Sequence, residues 1–479
     1  MPISKHKNEA RFTYRDVDRD SLLLGWRRPD NDVANIGFDL SPEEIQMPPT
    51  PVELGREGHV LTIAPTGSGK GVSCIIPALL TYSGPVIVID PKGENAAVTA
   101  QRRRDMGQRV HVVDPFGISG ETPARFNPLD LVEPQYADAT DDAAMIAKMI
   151  TPPCDKDPYW NNRAVQVITG LILYMAYDME PQFRTFATMR ELLLEMSTDR
   201  PAAQARYAKA RHEEARNLGT VLTDCASNTI YGILSFSSDA VDRFRGDSLK
   251  YSLYTSSFSL DEITRGDPVT VYLVLPPHML ESHGSILRLW VGALFTALTR
   301  RQSRPDVPTL LMIDEAAQLG YFPPLLSAIT LMRGYGVRTW TFWQDASQIQ
   351  RLYPDWPTIV NNCHAVQMFG RMGPLAARHA AELLGLPRPD ILRNMKSDDM
   401  MLALGQDDPR IVARPNYLED DELYELASPN PFYGGGAAKQ TRRLSDIAES
   451  EPAAPVQGQL DLFKKRRRRR GSSTDDVPF

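Results

Sequence analysis

The hydrophobic pattern changes character several times along the chain. From His59 the texture is α/β. HVLTIA (59–64) is a short apolar run, a glycine-rich loop follows, and VSCIIPALLTY then has helix-like spacing. GPVIVID (84–90) and VHVVD (110–114) are β-branched runs of the kind that strands buried on both faces show. Strand, glycine loop, helix and strand in that order predict a parallel α/β unit. After NPLD (127–130) the β-rich texture stops. DAAMIAKMI, NRAVQVITGLILYMAY, TMRELLLEM and AAQARYAKARHEEARNLGTVL are dominated by helix formers and predict an all-α insertion over 131–260. The α/β texture returns with PVTVYLVLP (268–276), TLLMIDE (309–315), RTWTFWQ (338–344) and HAVQMFG (364–370). The α/β core is therefore expected in two pieces, 55–130 and 261–428.

Both ends differ from this body. Residues 1–54 are polar and punctuated by proline, and predict short strands and loops leading into the core. From Pro429 the chain is tail-like: a GGG hinge at 434–436, then AESEPAAPVQGQ, a basic run and GSSTDDVPF. Low hydrophobicity with many small and charged residues predicts a disordered tail over 429–479. A chain of 479 residues exceeds one compact core, and 42% hydrophobic with 24% charged residues is ordinary for a globular protein. The formal charge is −7; Lys464–Arg470 alone supplies seven positive charges, so the remainder carries −14. The four cysteines form no C-x-x-C pair, which argues against a zinc ribbon or disulfide framework and fits a reducing compartment. No run approaches the about 18 apolar residues of a spanning helix, and the polar start lacks a signal peptide's apolar core. A cytoplasmic protein is expected.

The candidate chemistry begins at Ala64–Ser73, APTGSGKGVS, which departs twice from the phosphate-loop pattern G-x-x-x-x-G-K-[ST]. Ala64 replaces the first glycine, and Gly71 stands where a hydroxyl normally ligates Mg²⁺. Its context favours an anion site all the same, because backbone N–H groups and a helix N-terminus converge after a strand. Thr66, Gly67, Ser68, Gly69, Lys70, Gly71 and Val72 form the expected cradle for a nucleotide's phosphates, with Lys70 at the β- and γ-phosphates. About 240 residues downstream, LLMIDE ends a strand in two carboxylates. A lone pair of this kind is more commonly a solvated acidic turn. Beside the loop, Asp314 suits Mg²⁺ and Glu315 suits a base for the attacking water. Arg333 lies in LMRGYGVR, where glycines let the backbone turn. Gln344 ends RTWTFWQ, where it can sense a γ-phosphate or its water. Lys92 and Glu94, in DPKGE, stand at a strand's C-terminal end, where α/β sites gather.

GREGHVLTIAPTGSGKGVSCIIPALL, VIVIDPKGE, VVDPFG, RFNPLD, LLMIDEAAQLG and RGYGVRTWTFWQDASQI together resemble the type IV secretion coupling ATPases of the TraG/TraD type. The ordered match runs from about residue 20 to 420. The resemblance implies a RecA-like P-loop NTPase core with an inserted all-α domain. It implies ATP and Mg²⁺ as cofactors, Lys70 as phosphate-binding lysine, Asp314 as the metal-associated aspartate and Glu315 as catalytic glutamate. Arg333 matches an arginine supplied in trans, and Gln344 the strand-end glutamine. Members of this branch commonly carry GKG, so Gly71 is a family trait; Ser73, Ser68, or Asp314 with water stands in for the hydroxyl. Such proteins form hexameric rings that pump DNA, usually single-stranded, and their α domain faces the relaxase-bound substrate. Relaxase or relaxosome and type IV secretion channel components are the implied partners. Family members usually begin with two transmembrane helices, which this sequence lacks; three readings stay open: a soluble branch, peripheral docking at the inner membrane through a separate membrane subunit, or DNA movement without any channel.

In the tail, Gln459–Phe463 (QLDLF) resembles the pentapeptide by which bacterial polymerases and repair proteins bind the replication sliding clamp. Leu462 and Phe463 suit apolar anchoring in a preformed pocket. The adjoining KKRRRRR suits sequence-independent phosphate contact. Three readings follow: a DNA translocase, a secretion ATPase that moves protein without DNA, and a non-catalytic adaptor. The Asp314, Glu315, Arg333 and Gln344 set tells against the third.

Overall fold

The computed structural model describes Tyr14 and residues 17–28, 49–151, 157–224 and 226–433. The described residues lie in one compact unit, 1–439. QLDLF and the basic run lie outside them.

Eleven strands form a single sheet: β1 Leu22–Arg27, β2 Thr50–Leu54, β3 His59–Ile63, β4 Val86–Ile89, β5 Arg109–Val113, β6 Val269–Leu273, β7 Thr309–Ile313, β8 Val337–Trp343, β9 Cys363–Met368, β10 Asp399–Leu404 and β11 Arg410–Ala413. Their order is β2-β1-β11-β10-β9-β3-β8-β7-β4-β6-β5. The seven strands from β9 to β5 run parallel. The four beyond β9 continue the sheet antiparallel. The strands expected near the N-terminus thus extend the nucleotide sheet itself.

Both faces of the parallel sheet are covered, which is why its strands read as continuous apolar runs. Leu61, Ile63, Ile89, Leu311, Ile313 and Trp343 point into one core. Val60, Val88, Leu310, Met312, Trp340 and Phe342 point into the other, against the helix after the glycine loop and the helix Glu94–Asp105. Trp340 and Trp343, at an odd spacing, lie on opposite faces of β8. Both are fully buried, because each face has its own core.

Between β5 and β6 the described residues contain helices and no strand. The longest is Pro158–Asp178, capped by the Asp157 side chain, which accepts from Tyr159 N. Thr185 and Asp199 cap the helices Phe186–Thr198 and Arg200–Tyr207 in the same way. Each such cap contributes about 1 kcal/mol. The helix Pro277–Thr299 packs between these helices and the sheet, and Trp290 Nε1 pins it by donating to Phe126 O at 3.0 Å. His278 and His283 lie in this helix. Among the described residues no helix is long and apolar enough to cross a membrane.

Candidate nucleotide site

β3 delivers the chain to the loop Ala64–Lys70, and the helix begins at Gly71 with one wide turn, Gly71–Ile75, before becoming α-helical at Ile76–Thr81. Gly67 (φ 77°) and Gly69 (φ 90°) are left-handed, a conformation that side chains resist, so the loop's curvature requires glycine at both. The Ser68 hydroxyl is engaged within the loop, donating to Pro65 O at 2.6 Å. Gly71 has ordinary helical space around it: a Cβ there would meet nothing within 4 Å. Its missing hydroxyl therefore reflects no steric demand. Ser73 is buried one turn further along, with its backbone N–H on Gly69 O at 2.9 Å.

β7 ends beside this loop although the two strands are not neighbours, since β8 lies between them. Their parallel direction brings the residues after both strands to the same edge of the sheet. Lys70 is buried; its Nζ donates to Ala64 O at 3.0 Å and lies 3.3 Å from Glu315 Oε1. Gln344, just past β8, donates from Nε2 to Glu315 Oε2 at 2.7 Å. The Glu315 carboxylate is thus held from both sides. Among the described residues Glu315 is also the only non-glycine with positive φ (55°). A left-handed side chain costs about 1–2 kcal/mol and persists where its surroundings over-determine it.

Asp314 is half-buried, and its Oδ1, shielded from solvent, has no hydrogen-bond partner. Burial, then the neighbouring Glu315 charge, pushes its carboxyl up to about 6, against the pull of Lys70 and Lys92. An orphaned, buried carboxylate oxygen facing a phosphate loop is the donor type that Mg²⁺ takes. The residues present fit the metal. Asp90, at the end of β4, is pushed up to about 7, mainly by burial. Its carboxyl accepts from Ala96 N (2.9 Å) and Asn95 Nδ2 (3.2 Å), capping the helix Glu94–Asp105. Lys70, Asp90, Lys92, Glu94, Asp314 and Glu315 all line one cleft of about 100 Å³.

Arg333 is not in this cleft. It precedes β8 as Glu57 precedes β3, so both stand at the opposite, amino edge of the sheet. There Arg333 Nε donates to Glu57 Oε2 at 3.0 Å, a second N–H of the guanidinium joins the same oxygen, and Arg304 shares the carboxylate. These contacts hold the Glu57 carboxyl below its usual range, the Arg333 hydrogen bond foremost.

Two supports of the loop escape a reading of sequence. Arg414, directly after β11, donates from Nη1 to Ser68 O at 2.7 Å and stacks its guanidinium 4.6 Å from the Phe369 ring centroid. Gly370 (φ 92°) lies so close that a Cβ would stand 2.6 Å from Ser68 Cβ. Neither belongs to a recognisable motif; the glycine after an apolar strand is the only local signal.

A parallel sheet with a phosphate loop after one strand and paired carboxylates after the next but one defines a RecA-like P-loop NTPase fold. Residues 50–386 match the model of the family described as "Type IV secretory system Conjugative DNA transfer", and the chain belongs to that family. It is 25% identical over 397 residues to the conjugal transfer protein TraG of Escherichia coli, covering 78% of this chain and 62% of the relative. It is likewise 25% identical over 418 residues to the type IV secretion system-coupling protein VirD4 of Bartonella henselae, covering 82% and 64%. The chain thus spans less than two thirds of either relative's length. Among solved structures, the plasmid coupling protein TrwB in complex with ADP and Mg²⁺ superposes with a TM-score of 0.56 at 15% identity, covering 74% of this chain and 84% of that one. VirB4 of Thermoanaerobacter pseudethanolicus gives 0.50 at 14%, covering 83% and 97%. These likenesses bear out the RecA-like fold and the coupling-protein resemblance.

Proposed function

We propose that the chain is the motor of a coupling protein: an ATPase that moves DNA, single-stranded in the first instance, in conjugative or mobile-element transfer. The observation that carries this reading is the meeting of Lys70, Asp314, Glu315 and Gln344 at one edge of the sheet, in a member of a DNA-transfer family. ATP takes its phosphates into the loop Thr66–Val72, where backbone N–H groups and the helix N-terminus face them. Lys70 then exchanges its contact with Glu315 for the β- and γ-phosphate oxygens. The freed Glu315 carboxylate, still oriented by Gln344, accepts the proton of the attacking water. Asp314 and Ser73 would hold Mg²⁺, which would supply neutralisation of the charge on the phosphates. TrwB's complex with ADP and Mg²⁺ supports this assignment by fold alone.

Arg333, on the far edge from its own loop, completes a neighbour's site in a head-to-tail ring, a homo-hexamer by family analogy. The core (55–130 and 261–428) drives the cycle, and the helices of 131–260 face the relaxase-bound substrate, with channel components and the sliding clamp (through Gln459–Phe463) as further partners. The test is steady-state ATPase with and without single-stranded DNA, beside Lys70→Ala. DNA-stimulated hydrolysis that the variant loses supports the reading. Hydrolysis indifferent to DNA would transfer it to a protein-moving secretion ATPase.

A further inference from the structure

The segment that follows β11 returns to the phosphate loop by a route outside the family match, which ends at residue 386. Tyr417 N donates to Val72 O at 3.3 Å, on the first turn after the loop. Tyr417 and Leu423 are buried against Ile76, Leu80 and Val98, joining this segment to the helices that begin at the loop and at Glu94. Ser428 N donates to Val98 O at 2.9 Å. Asn430 Nδ2 then bridges Glu94 Oε1 (2.8 Å) and the Tyr417 hydroxyl (2.7 Å), and Tyr433 N donates to Asn430 O at 3.1 Å. The result is an anchored strap whose last described residue, Tyr433, lines the nucleotide cleft. Among the described residues it is the only aromatic that does so, and the residue is 51% exposed.

The direction in which a nucleotide would lie gives this ring a purpose. With the γ-phosphate beside Glu315 and Lys70, the α-phosphate falls over Gly71 and Val72, and the nucleoside continues beyond them. That is the side on which Tyr417 N donates to Val72 O, and Tyr433 lines the same cleft. We propose that Tyr433 is the stacking wall for the purine base of the bound nucleotide, with Asn430 and Tyr417 as the residues that position it. The inference rests on the reading of the loop as an ATP site. A base presents a π-face whatever its hydrogen-bonding edge, so an aromatic wall favours purines by their larger ring area and discriminates weakly between adenine and guanine.

The experiment is titration calorimetry on the full chain with Mg²⁺–ATP and, separately, inorganic tripolyphosphate, which has the phosphates and no base. Tyr433→Ala should weaken ATP about tenfold, equivalent to about 1.4 kcal/mol, and leave tripolyphosphate unchanged, while Tyr433→Phe should bind ATP as the wild type does. Equal ATP affinity in wild type and Tyr433→Ala would overturn the proposal. So would a loss shared by Tyr433→Phe, which would assign the role to the hydroxyl, or a loss that extends to tripolyphosphate, which would assign it to the fold of the strap. A wild type that binds neither ligand would instead refute the phosphate-loop reading, and the stacking wall with it.

Discussion

The position of Arg333 makes the sharpest test of the proposed motor. β8 runs from Val337 to Trp343, with Arg333 before its start and Gln344 after its end. Seven strand residues span about 20 Å, so no arginine side chain reaches from one edge of the sheet to its own Glu315. If Arg333 stabilises transition-state charge, it does so in a neighbouring protomer, where such an arginine is worth about 10³–10⁵ in kcat. Arg333→Ala and Lys70→Ala should therefore each be inactive as pure proteins, for different reasons. Mixing them one to one and letting protomers exchange tests the geometry. Each site needs an intact loop from one protomer and an intact arginine from the next, so with random mixing in a head-to-tail ring about one quarter of sites are complete. The mixture should show about one quarter of wild-type ATPase per site. A mixture no more active than its parents would refute the reading in trans, and full activity of Arg333→Ala alone would remove Arg333 from catalysis altogether.

Four further outcomes follow from the same geometry. Glu315→Gln should bind a fluorescent ATP analogue normally while hydrolysis falls about 10²–10⁴-fold, the usual worth of a positioned base; unchanged turnover would exclude Glu315 as that base. Gly370→Ala should lower the melting temperature and weaken ATP binding, because it adds about 1–3 kcal/mol of backbone strain and drives a methyl group onto Ser68; indifference in both measurements would contradict the close approach. Gly71→Ser should fold with equal or slightly greater stability, by about 0.5 kcal/mol of helix propensity, and keep its ATPase, since the space for the side chain is open. The fourth concerns pH. His59 is buried, accepts a hydrogen bond from Thr339 N at Nδ1, and has its pKa lowered from 6.5 to about 4, chiefly by burial. The unfolded chain takes up this proton first, so the stability is complete above pH 6.5 and is lost as pH falls toward 4, by at most about 3 kcal/mol. Urea unfolding at pH 7 and pH 5 should reveal the loss, and His59→Asn should remove His59's share of it.

How much of this was legible in sequence depended on whether a feature is local. The loop after β3 and the acidic pair after β7 announce themselves, because strand, glycine and helix signals sit side by side in the chain. The relation of Glu315 to Gln344 was readable only as two strand ends; that one carboxylate joins Lys70 and Gln344 required the strand order. The tryptophans show the converse. A period of two distinguishes faces, yet it cannot tell whether the second face is wet, and here helices cover both. The β10–β11 hairpin was not read at all: DMMLAL and RIVA are short runs parted by a charged turn, and only pairing with β9 and β1 gives them an identity. Arg414, Gly370 and Tyr433 lie still further out of reach, since each acts on a loop about 300 or more residues earlier in the chain.

The topology also explains how so long a helical segment can be hung within the nucleotide sheet. Its two ends are β5 and β6, which are paired with each other at the sheet's edge, three and two places away from β7. The excursion therefore starts and finishes on adjacent strands, and the cost of closing it grows only slowly with its length. The strands that build the cleft, β3, β8, β7 and β4, stay contiguous. The segment is nevertheless not merely tethered there: Ile168, Leu171 and Met189 belong to the same continuous core as Ile63 and Ile313, the residues directly before the phosphate loop and the acidic pair. Interiors packed at crystal density transmit displacement rather than absorb it. A shift of either loop on nucleotide exchange is thus mechanically connected to the helices proposed to face the substrate, which is the coupling that a translocating motor requires.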